Sequence, residues 1–223
     1  MLQLKNIEIR NGNYKVSADL AIESGSIVGV VGPSGSGKST LHSGIAGFLP
    51  LETGEIYFEN TRIDQLKPHE RPITSMFQSH NLFPRMRIDE NIRLGAPNLS
   101  DSELETVAIE VGIFDILDRF PRDISGGQAA RAAIVRSMLQ NKSIWLLDEP
   151  FSTLGPKQGR DLRAIIKKIV KSQGKTLLVI SHNPTDFADW ADSIVWIRDG
   201  KVEKPQKTSD FLNFPDPMVQ EYL

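Results

Sequence analysis

The stretch GPSGSGKS at residues 32–39, followed by a threonine, decides the fold of this chain. It matches the pattern G-x-x-x-x-G-K-[ST], in which glycines let successive backbone N–H groups converge on phosphate oxygens. A helix beginning near Lys38 would add the partial positive charge of its N-terminus. We expect Lys38 to neutralise the β- and γ-phosphates and the Ser39 hydroxyl to ligate Mg²⁺. The residues predicted to bind the nucleotide here are Gly32, Pro33, Ser34, Gly35, Ser36, Gly37, Lys38, Ser39 and Thr40.

The sequence on both sides of this loop favours a sheet of buried parallel strands. SIVGVV at residues 26–31, SIWLLD at 143–148 and TLLVIS at 176–181 are short apolar runs typical of strands buried on both faces. A glycine- and serine-rich turn can precede a helix without any ligand. Here, however, the loop joins a buried strand to a helix, as phosphate binding requires, and the alternation of strands with helices predicts an α/β fold.

The flanking segments predict smaller structural units. Residues 2–9 and 15–22 alternate between apolar and polar side chains, as in half-buried strands. Residues 89–138 are mainly helical in pattern, with Ser100 as a helix N-cap, and form a candidate subdomain. SIVWIRDGKVEK at residues 193–204 predicts two strands joined by a turn at Asp199 and Gly200.

Composition excludes several classes of protein. The 223 residues include 26 Lys plus Arg and 28 Asp plus Glu, for a net charge of -2, so bulk charge would attract neither nucleic acid nor anionic lipid. There is no cysteine for disulfides or thiolate chemistry. The N-terminal residues lack the apolar core of a signal peptide, and no apolar run approaches the roughly 20 residues that span a bilayer. We expect a soluble, cytoplasmic protein that binds no nucleic acid.

Two carboxylates, Asp148 and Glu149, follow the apolar run IWLL directly. Parallel strands end at one edge of their sheet, so this pair can lie beside the phosphate loop. Asp148 would then hold Mg²⁺, and Glu149 would polarise a water in line with the γ-phosphate. The alternative is a solvated acid pair in a loop before Pro150, which the phosphate loop makes the weaker interpretation.

A second possible anion cradle is formed by Ser125, Gly126, Gly127 and Gln128, which precede a helical run. Ser125 and the glycine N–H groups can bind an anion at the start of a helix. An ordinary N-cap without ligand would explain an isolated SGGQ equally well. The nucleotide already has its own loop, so the sequence leaves open which phosphate this cradle contacts.

Six motifs in order resemble the ATP-binding subunits of ATP-binding cassette (ABC) transporters, and the resemblance covers nearly the whole chain. GPSGSGKST is similar to their Walker A motif, Gln78 in MFQSHNLFP to the Q-loop, and ISGGQ to the signature. IWLLDEP is similar to Walker B, FSTLG to the D-loop, and His182 in VISHN to the switch histidine. The resemblance implies a P-loop NTPase fold with a mainly parallel sheet core, an N-terminal antiparallel β subdomain and an inserted helical subdomain. One nucleotide-binding domain is expected over residues 1–223, with the helical subdomain at approximately 89–138.

The resemblance also implies roles for individual residues. Glu149 is the general base, His182 contacts the γ-phosphate, Lys38 is catalytic, and Gln78 senses Mg²⁺ and nucleotide. The expected cofactors are ATP and Mg²⁺, with the metal held by Ser39, Gln78 and Asp148.

The implied partners are a second ATPase subunit and a membrane protein. In a head-to-tail dimer, Ser125, Gly126, Gly127 and Gln128 would contact the γ-phosphate bound by the other subunit. An integral membrane permease would contact the NLFP loop at residues 81–84 and hold the chain on the cytoplasmic face of the inner membrane, and a periplasmic substrate-binding protein would act indirectly. We expect no appended regulatory domain after the C-terminal strands.

NLFP in this position resembles importers more than exporters. The chain length, the stretches GPSGSGKSTLHSGIAGFLPLETGEI and ERPITSMFQSHNLFP and the short C-terminal region together resemble the ATPases of bacterial thiamine importers. Import ATPases for iron(III), sulfate, molybdate or polyamines share much of this pattern and remain alternatives. A soluble cassette ATPase of DNA repair or translation would need coiled-coil insertions or fused cassettes, which the sequence lacks. A P-loop kinase would not need ISGGQ followed by DEP.

Three positions depart from the family pattern. The aromatic residue that stacks on adenine is expected near Asn11, so either Tyr14 shifts into place or adenine is held weakly. Ala129 and Ala130 replace a basic and a polar residue after the signature, a change that favours helix. Gly155 replaces the usual D-loop Asp, which should cost the following helix only a few tenths of a kcal/mol but removes a side chain from the dimer interface.

Overall fold

The structure, a computed structural model, describes residues 1–79, 81–213 and 219. Its strands are β1 (Leu2–Asn11), β2 (Tyr14–Ile22), β3 (Ile27–Val31), β4 (Leu51–Phe58), β5 (Thr61–Arg62), β6 (Ile73–Met76), β7 (Ile144–Asp148), β8 (Thr176–Ile180), β9 (Ser193–Arg198), β10 (Lys201–Val202) and β11 (Gln206–Lys207). Its α-helices are α1 (Lys38–Ala46), α2 (Ile88–Arg93), α3 (Asp101–Glu110), α4 (Gly126–Leu139), α5 (Pro156–Gln173) and α6 (Thr208–Asn213).

The strands form one sheet with a parallel and an antiparallel part. Its order is β5-β4-β1-β2-β10-β9-β3-β8-β7-β6, with β11 paired to β9. Strands β6, β7, β8, β3 and β9 are parallel to one another, in that order across the sheet. Strand β9 pairs antiparallel with β10 and β11, and β1 pairs antiparallel with β2 and β4. This confirms the predicted α/β fold with a mainly parallel core and an N-terminal antiparallel region.

The parallel part of the sheet positions the site. Strands β3, β7 and β8 are buried at every residue, as their apolar sequences predicted. Because they run in the same direction, the phosphate loop after β3, Asp148 at the end of β7 and His182 beyond β8 reach the same edge.

Two hydrophobic clusters cover the sheet. One contains Leu41 and Ile45 of α1 with the apolar faces of β1 and β2. The other contains Ile88 and Ile92 of α2 together with Trp145 of β7. The helical segment predicted at residues 89–138 is therefore present as α2 to α4 and shares a core with the central sheet, while its status as a subdomain stays a prediction.

Helix α5 shows how periodicity produces this packing. Leu162, Ile166 and Val170 recur at four-residue spacing and are buried. Each contributes on the order of 1.5–3 kcal/mol by leaving water. Neither α5 nor any other helix in the described part of the chain is long and apolar enough to cross a membrane.

Arg71 fixes the C-terminal end of α1. Its buried guanidinium donates to the carbonyl oxygens of Gly44 at 3.1 Å and Ile45 at 2.7 Å in the last turn of α1. The Gly44 carbonyl also accepts from the Gly47 N–H at 3.2 Å. It also donates to the carbonyls of Leu66 and Asp64. Burial lowers the pKa of this guanidinium, but an arginine stays charged, so it remains a donor.

Candidate active site

The phosphate loop is closed by its own lysine. Lys38, the first residue of α1, donates from Nζ to the carbonyl oxygens of Gly32 at 2.7 Å and Pro33 at 2.8 Å. Burial lowers the pKa of Lys38, while the carboxylates of Glu149 and Asp148 act in the opposite direction. The ammonium therefore lies against the loop, near enough to the carboxylates of Glu149 and Asp148 to interact with them electrostatically.

Ser39 and Asp148 meet as the sequence predicted. The Ser39 hydroxyl donates to Asp148 Oδ2 at 3.0 Å, although 109 positions separate the two residues. Both supply oxygen ligands, which Mg²⁺ prefers, and Mg²⁺ is commonly held by one or two carboxylates plus substrate phosphates. No cluster of three or more metal-binding His, Cys, Asp or Glu side chains occurs among the described residues, so a metal here would depend on this oxygen pair and the nucleotide.

Glu149 and His182 form a second close pair at the same edge. His182 Nδ1 lies 3.1 Å from Glu149 Oε1, and the two side chains are 68% and 12% exposed. Glu149 has a φ of 49°, in the left-handed region, while its N–H donates to the Ile180 carbonyl at 3.0 Å. A non-glycine residue held there carries backbone strain of about 1–3 kcal/mol, which is common at functional sites. The strained turn directs the carboxylate toward the histidine.

Tyr14 lies against the phosphate loop. It is the first residue of β2 and pairs with Asn11 across the turn from β1. Gly37 has a φ of 104°, and a Cβ there would lie 3.0 Å from Tyr14 Cε1 and 2.5 Å from Val16 Cγ2. Of the two sequence alternatives, this contact favours the one in which Tyr14 takes the place of the aromatic residue expected near Asn11.

Gln78 follows β6, which is hydrogen-bonded to β7, and its side chain is exposed. The loop after it is held by two asparagines whose structural role the sequence did not predict. Asn81 exchanges hydrogen bonds with the backbone of Phe77. Asn91, fully buried in α2, accepts from the Phe83 N–H at 2.7 Å and donates to the Phe83 carbonyl at 3.1 Å.

The same loop presents an apolar side chain to solvent. Phe83 is 53% exposed, and the Arg136 guanidinium lies 5.5 Å from its ring centroid. Arg136 also donates to the Asn81 carbonyl.

The role of Asn91 could have been found in the sequence, since it lies between Ile88 and Ile92 on the buried face of α2. No feature of the sequence indicated that Arg136 would contact this loop.

The second possible anion cradle, at residues 125–128, forms the N-terminus of α4. Ser125 Oγ accepts from the Gln128 N–H at 3.3 Å, and Gln128 Oε1 accepts from the Ser125 N–H at 2.9 Å. These hydrogen bonds form a capping box and stay within the start of α4. A Cβ on Gly127 would approach the Thr153 carbonyl to 3.1 Å, so this helix start packs on the D-loop of its own chain.

Gly155 caps α5 without a side chain. Its φ of -66° and ψ of 158° are accessible to any residue, and Pro156 occupies the first helical position. The nearest atom to a Cβ built there is Gln158 Oε1 at 4.0 Å. The structure thus leaves room for a larger residue at this point of the D-loop.

After the signature, Ala129 and Ala130 continue α4 as predicted. Arg131, which follows them, donates to the carbonyl oxygens of Val111 at 2.9 Å and Gly112 at 2.7 Å. This arginine therefore joins α4 to the end of α3.

Phosphate loops on parallel sheets occur in many enzymes, but an acid pair beside a histidine together with an SGGQ helix start is the arrangement of the ATP-binding cassette ATPases. The chain belongs to the ABC transporter family, whose model matches residues 16–152. It is an ATPase of that family, and its fold and motifs agree with those the sequence predicted.

Curated relatives match along the whole chain. The thiamine import ATP-binding protein ThiQ of Ruegeria sp. is 38% identical over 229 residues, covering 100% of this chain and 99% of its own length. The protein of the same name from Aliivibrio fischeri is 38% identical, with 100% and 98% covered. That from Haemophilus influenzae is 36% identical, with 93% and 99% covered.

Solved structures agree with the fold. The dimeric structure of MJ0796, a bacterial ABC transporter cassette, has a TM-score of 0.81 at 30% identity and covers 93% of this chain and 99% of its own. A nucleotide-free cassette from an ABC transporter has a TM-score of 0.84 at 26% identity, with 100% and 98% covered.

Proposed function

We propose that this ATPase powers thiamine import through a membrane permease. The observation that carries the proposal is the match, over the full length of this chain, to relatives named thiamine import ATP-binding proteins. The NLFP loop after Gln78 and its exposed Phe83 support an importer. Import of iron(III), sulfate, molybdate or polyamines is the alternative, because proteins other than this one select the solute.

The geometry supports hydrolysis in which each residue has one task. Glu149 accepts a proton from the attacking water, and His182, within hydrogen-bond distance of Glu149, contacts the γ-phosphate and orients the attack. Lys38 releases the carbonyls of Gly32 and Pro33 to neutralise phosphate charge. Bound Mg²⁺, held by Ser39, Asp148 and Gln78, would neutralise charge on the phosphates.

The active form is proposed to be a head-to-tail dimer. Ser125 and Gln128 are exposed or half-buried at the start of α4, and Gly126 and Gly127 place two N–H groups in its first turn. N–H groups at a helix start bind anions. In a dimer they would contact the γ-phosphate bound by the other subunit. Cassettes similar to this chain have been solved as dimers.

The permease is proposed to contact the surface around Phe83. Leu82 packs into the core, while Phe83, Pro84 and Arg85 are exposed. Asn91 fixes the backbone of this loop, so a permease helix would meet a preformed apolar knob. This contact would hold the chain on the cytoplasmic face of the inner membrane, with a periplasmic substrate-binding protein acting through the permease.

Uptake of labelled thiamine tests the solute. The gene is deleted in its host, and cells are compared with and without the plasmid-borne wild-type chain or its Glu149→Gln variant. Wild type should restore thiamine uptake and the variant should not. Restored uptake of iron(III), sulfate, molybdate or a polyamine with unchanged thiamine uptake would assign the alternative. Unchanged uptake of all these solutes would contradict the importer proposal.

A further inference from the structure

His42 is buried between the magnesium-site carboxylate and the base of the Gln78 loop. It lies in α1 three residues after Ser39, so both side chains occupy one face of the helix. The side chains of His42 and Asp148 are 1% and 5% exposed, and His42 Nδ1 lies 3.8 Å from Asp148 Oδ2. This is the same oxygen that accepts from Ser39.

The other contacts of the ring fix its orientation. His42 Nε2 is hydrogen-bonded to Ser75 Oγ on β6. The ring stacks on Phe77, with centroids 5.0 Å apart and planes 15° apart. Phe77 packs in turn edge-on against Phe48 at 5.1 Å. Since Phe77 precedes Gln78 directly, His42 joins the phosphate-loop helix to the base of this loop.

The buried Nδ1 atom has no hydrogen-bond partner among the described residues. If Nε2 carried the hydrogen, the lone pair of Nδ1 would face the Asp148 carboxylate, which is unfavourable away from water. If the Ser75 hydroxyl donates to Nε2, the ring hydrogen lies on Nδ1 and points toward that carboxylate.

We propose that His42 is a positioning residue whose Nδ1–H orients the Asp148 carboxylate for Mg²⁺ while Ser75 and Phe77 hold the ring. The inference rests on the proposed magnesium role of Ser39 and Asp148. Groups that orient metal ligands typically change metal affinity by 10- to 100-fold when they are removed. His42 therefore acts on the metal through Asp148 and not by direct ligation.

Two substitutions, His42→Asn and His42→Gln, distinguish the role of Nδ1 from that of Nε2. In His42→Asn the side-chain amide can occupy the place of Nδ1, and in His42→Gln the amide reaches the place of Nε2 instead. The proposal predicts that His42→Asn keeps the orientation of Asp148 although it loses packing against Phe77. His42→Gln and His42→Leu fill more space than His42→Asn but lose the N–H that faces Asp148.

The first measurement is independent of metal and nucleotide. The ¹⁵N spectrum of histidine-labelled full-length protein, with His42 assigned by its loss in His42→Asn, should show the hydrogen on Nδ1. A hydrogen on Nε2 alone would overturn the proposal.

The second measurement is Mn²⁺ binding in the presence of ADP, followed by electron paramagnetic resonance. We expect about tenfold weaker Mn²⁺ binding for His42→Gln and His42→Leu and near wild-type binding for His42→Asn. ADP affinity in EDTA should be similar in all four proteins, which checks folding. A role in packing alone would instead make His42→Asn the weakest variant and overturn the inference. If the wild-type protein itself bound no Mn²⁺ with ADP, the proposed magnesium site would fail, and the nitrogen assignment would still test the position of the ring hydrogen.

Discussion

His182 Nδ1 and Glu149 Oε1 lie 3.1 Å apart, although 33 positions separate the two residues. The contact arises because β7 and β8 are parallel neighbours in which Asp148 pairs with Ile180. Each side chain follows the C-terminal end of its strand, one residue beyond β7 and two beyond β8. In the proposed mechanism, this acid and histidine at the phosphate edge of the sheet are the pair beside which the attacking water is activated.

Replacing Glu149 by Gln should therefore stop hydrolysis and preserve ATP binding. The amide keeps the shape of the side chain but cannot accept the proton, and loss of a general base costs about 100-fold or more in kcat. Phosphate release and fluorescent-nucleotide binding measure the two effects. ATP should also convert this variant to a dimer, measured by light scattering. A kcat within twofold of wild type would remove Glu149 from the role of base.

Tyr14 should determine nucleotide affinity by stacking. Its ring lies beside Gly37, and an aromatic platform for a base is worth about 1–3 kcal/mol. Tyr14→Ala should weaken ATP binding by roughly fivefold or more, measured by calorimetry. Tyr14→Phe keeps the ring and is the matched control, with affinity close to wild type. Equal affinities for the Ala and Phe variants would contradict stacking.

Gly155 should loosen communication between the two ATP sites of a dimer. Asp or Asn fits at this position without a clash and caps α5 about equally well. Both Gly155→Asp and Gly155→Asn should raise the free energy of unfolding by a few tenths of a kcal/mol. Only the Asp variant restores the charge at the interface, so it alone should change the ATPase rate or its cooperativity in ATP with the transporter assembled. The absence of any such change would reject this role.

Arg71 should be a large contributor to stability. Arg71→Leu removes a buried donor that serves four carbonyl oxygens, among them those of Gly44 and Ile45, at a cost of about 3 kcal/mol in the free energy of unfolding. Urea denaturation measures this. Arg62→Leu is the control, because Arg62 is partly exposed and paired with Glu55 and Asp64, and it should cost less than about 1 kcal/mol. Similar losses for both arginines would show that the buried cap is not the cause.

The sequence predicted most of the fold and indicated the candidate site residues because these signals are local. An apolar run of four residues directly before Asp148 identifies a buried strand, and glycines at fixed spacing identify the phosphate loop. Ser100 was recognised as an N-cap because a capping box is written within four residues. Such patterns need no knowledge of the rest of the chain.

The tertiary structure decided the contacts that depend on distant elements. The sequence by itself determined which residues carry phosphate and acid chemistry and that parallel strands bring them to one edge. It left Tyr14 as one of two alternatives, and the packing of β2 against Gly37 places the Tyr14 ring beside the phosphate loop, while stacking on adenine stays a prediction. It also gave no sign that His42 lies between Asp148, Ser75 and Phe77. A side chain in a helix acquires such neighbours only when strands far apart in sequence pack against it, because burial and hydrogen bonding depend on distance in space.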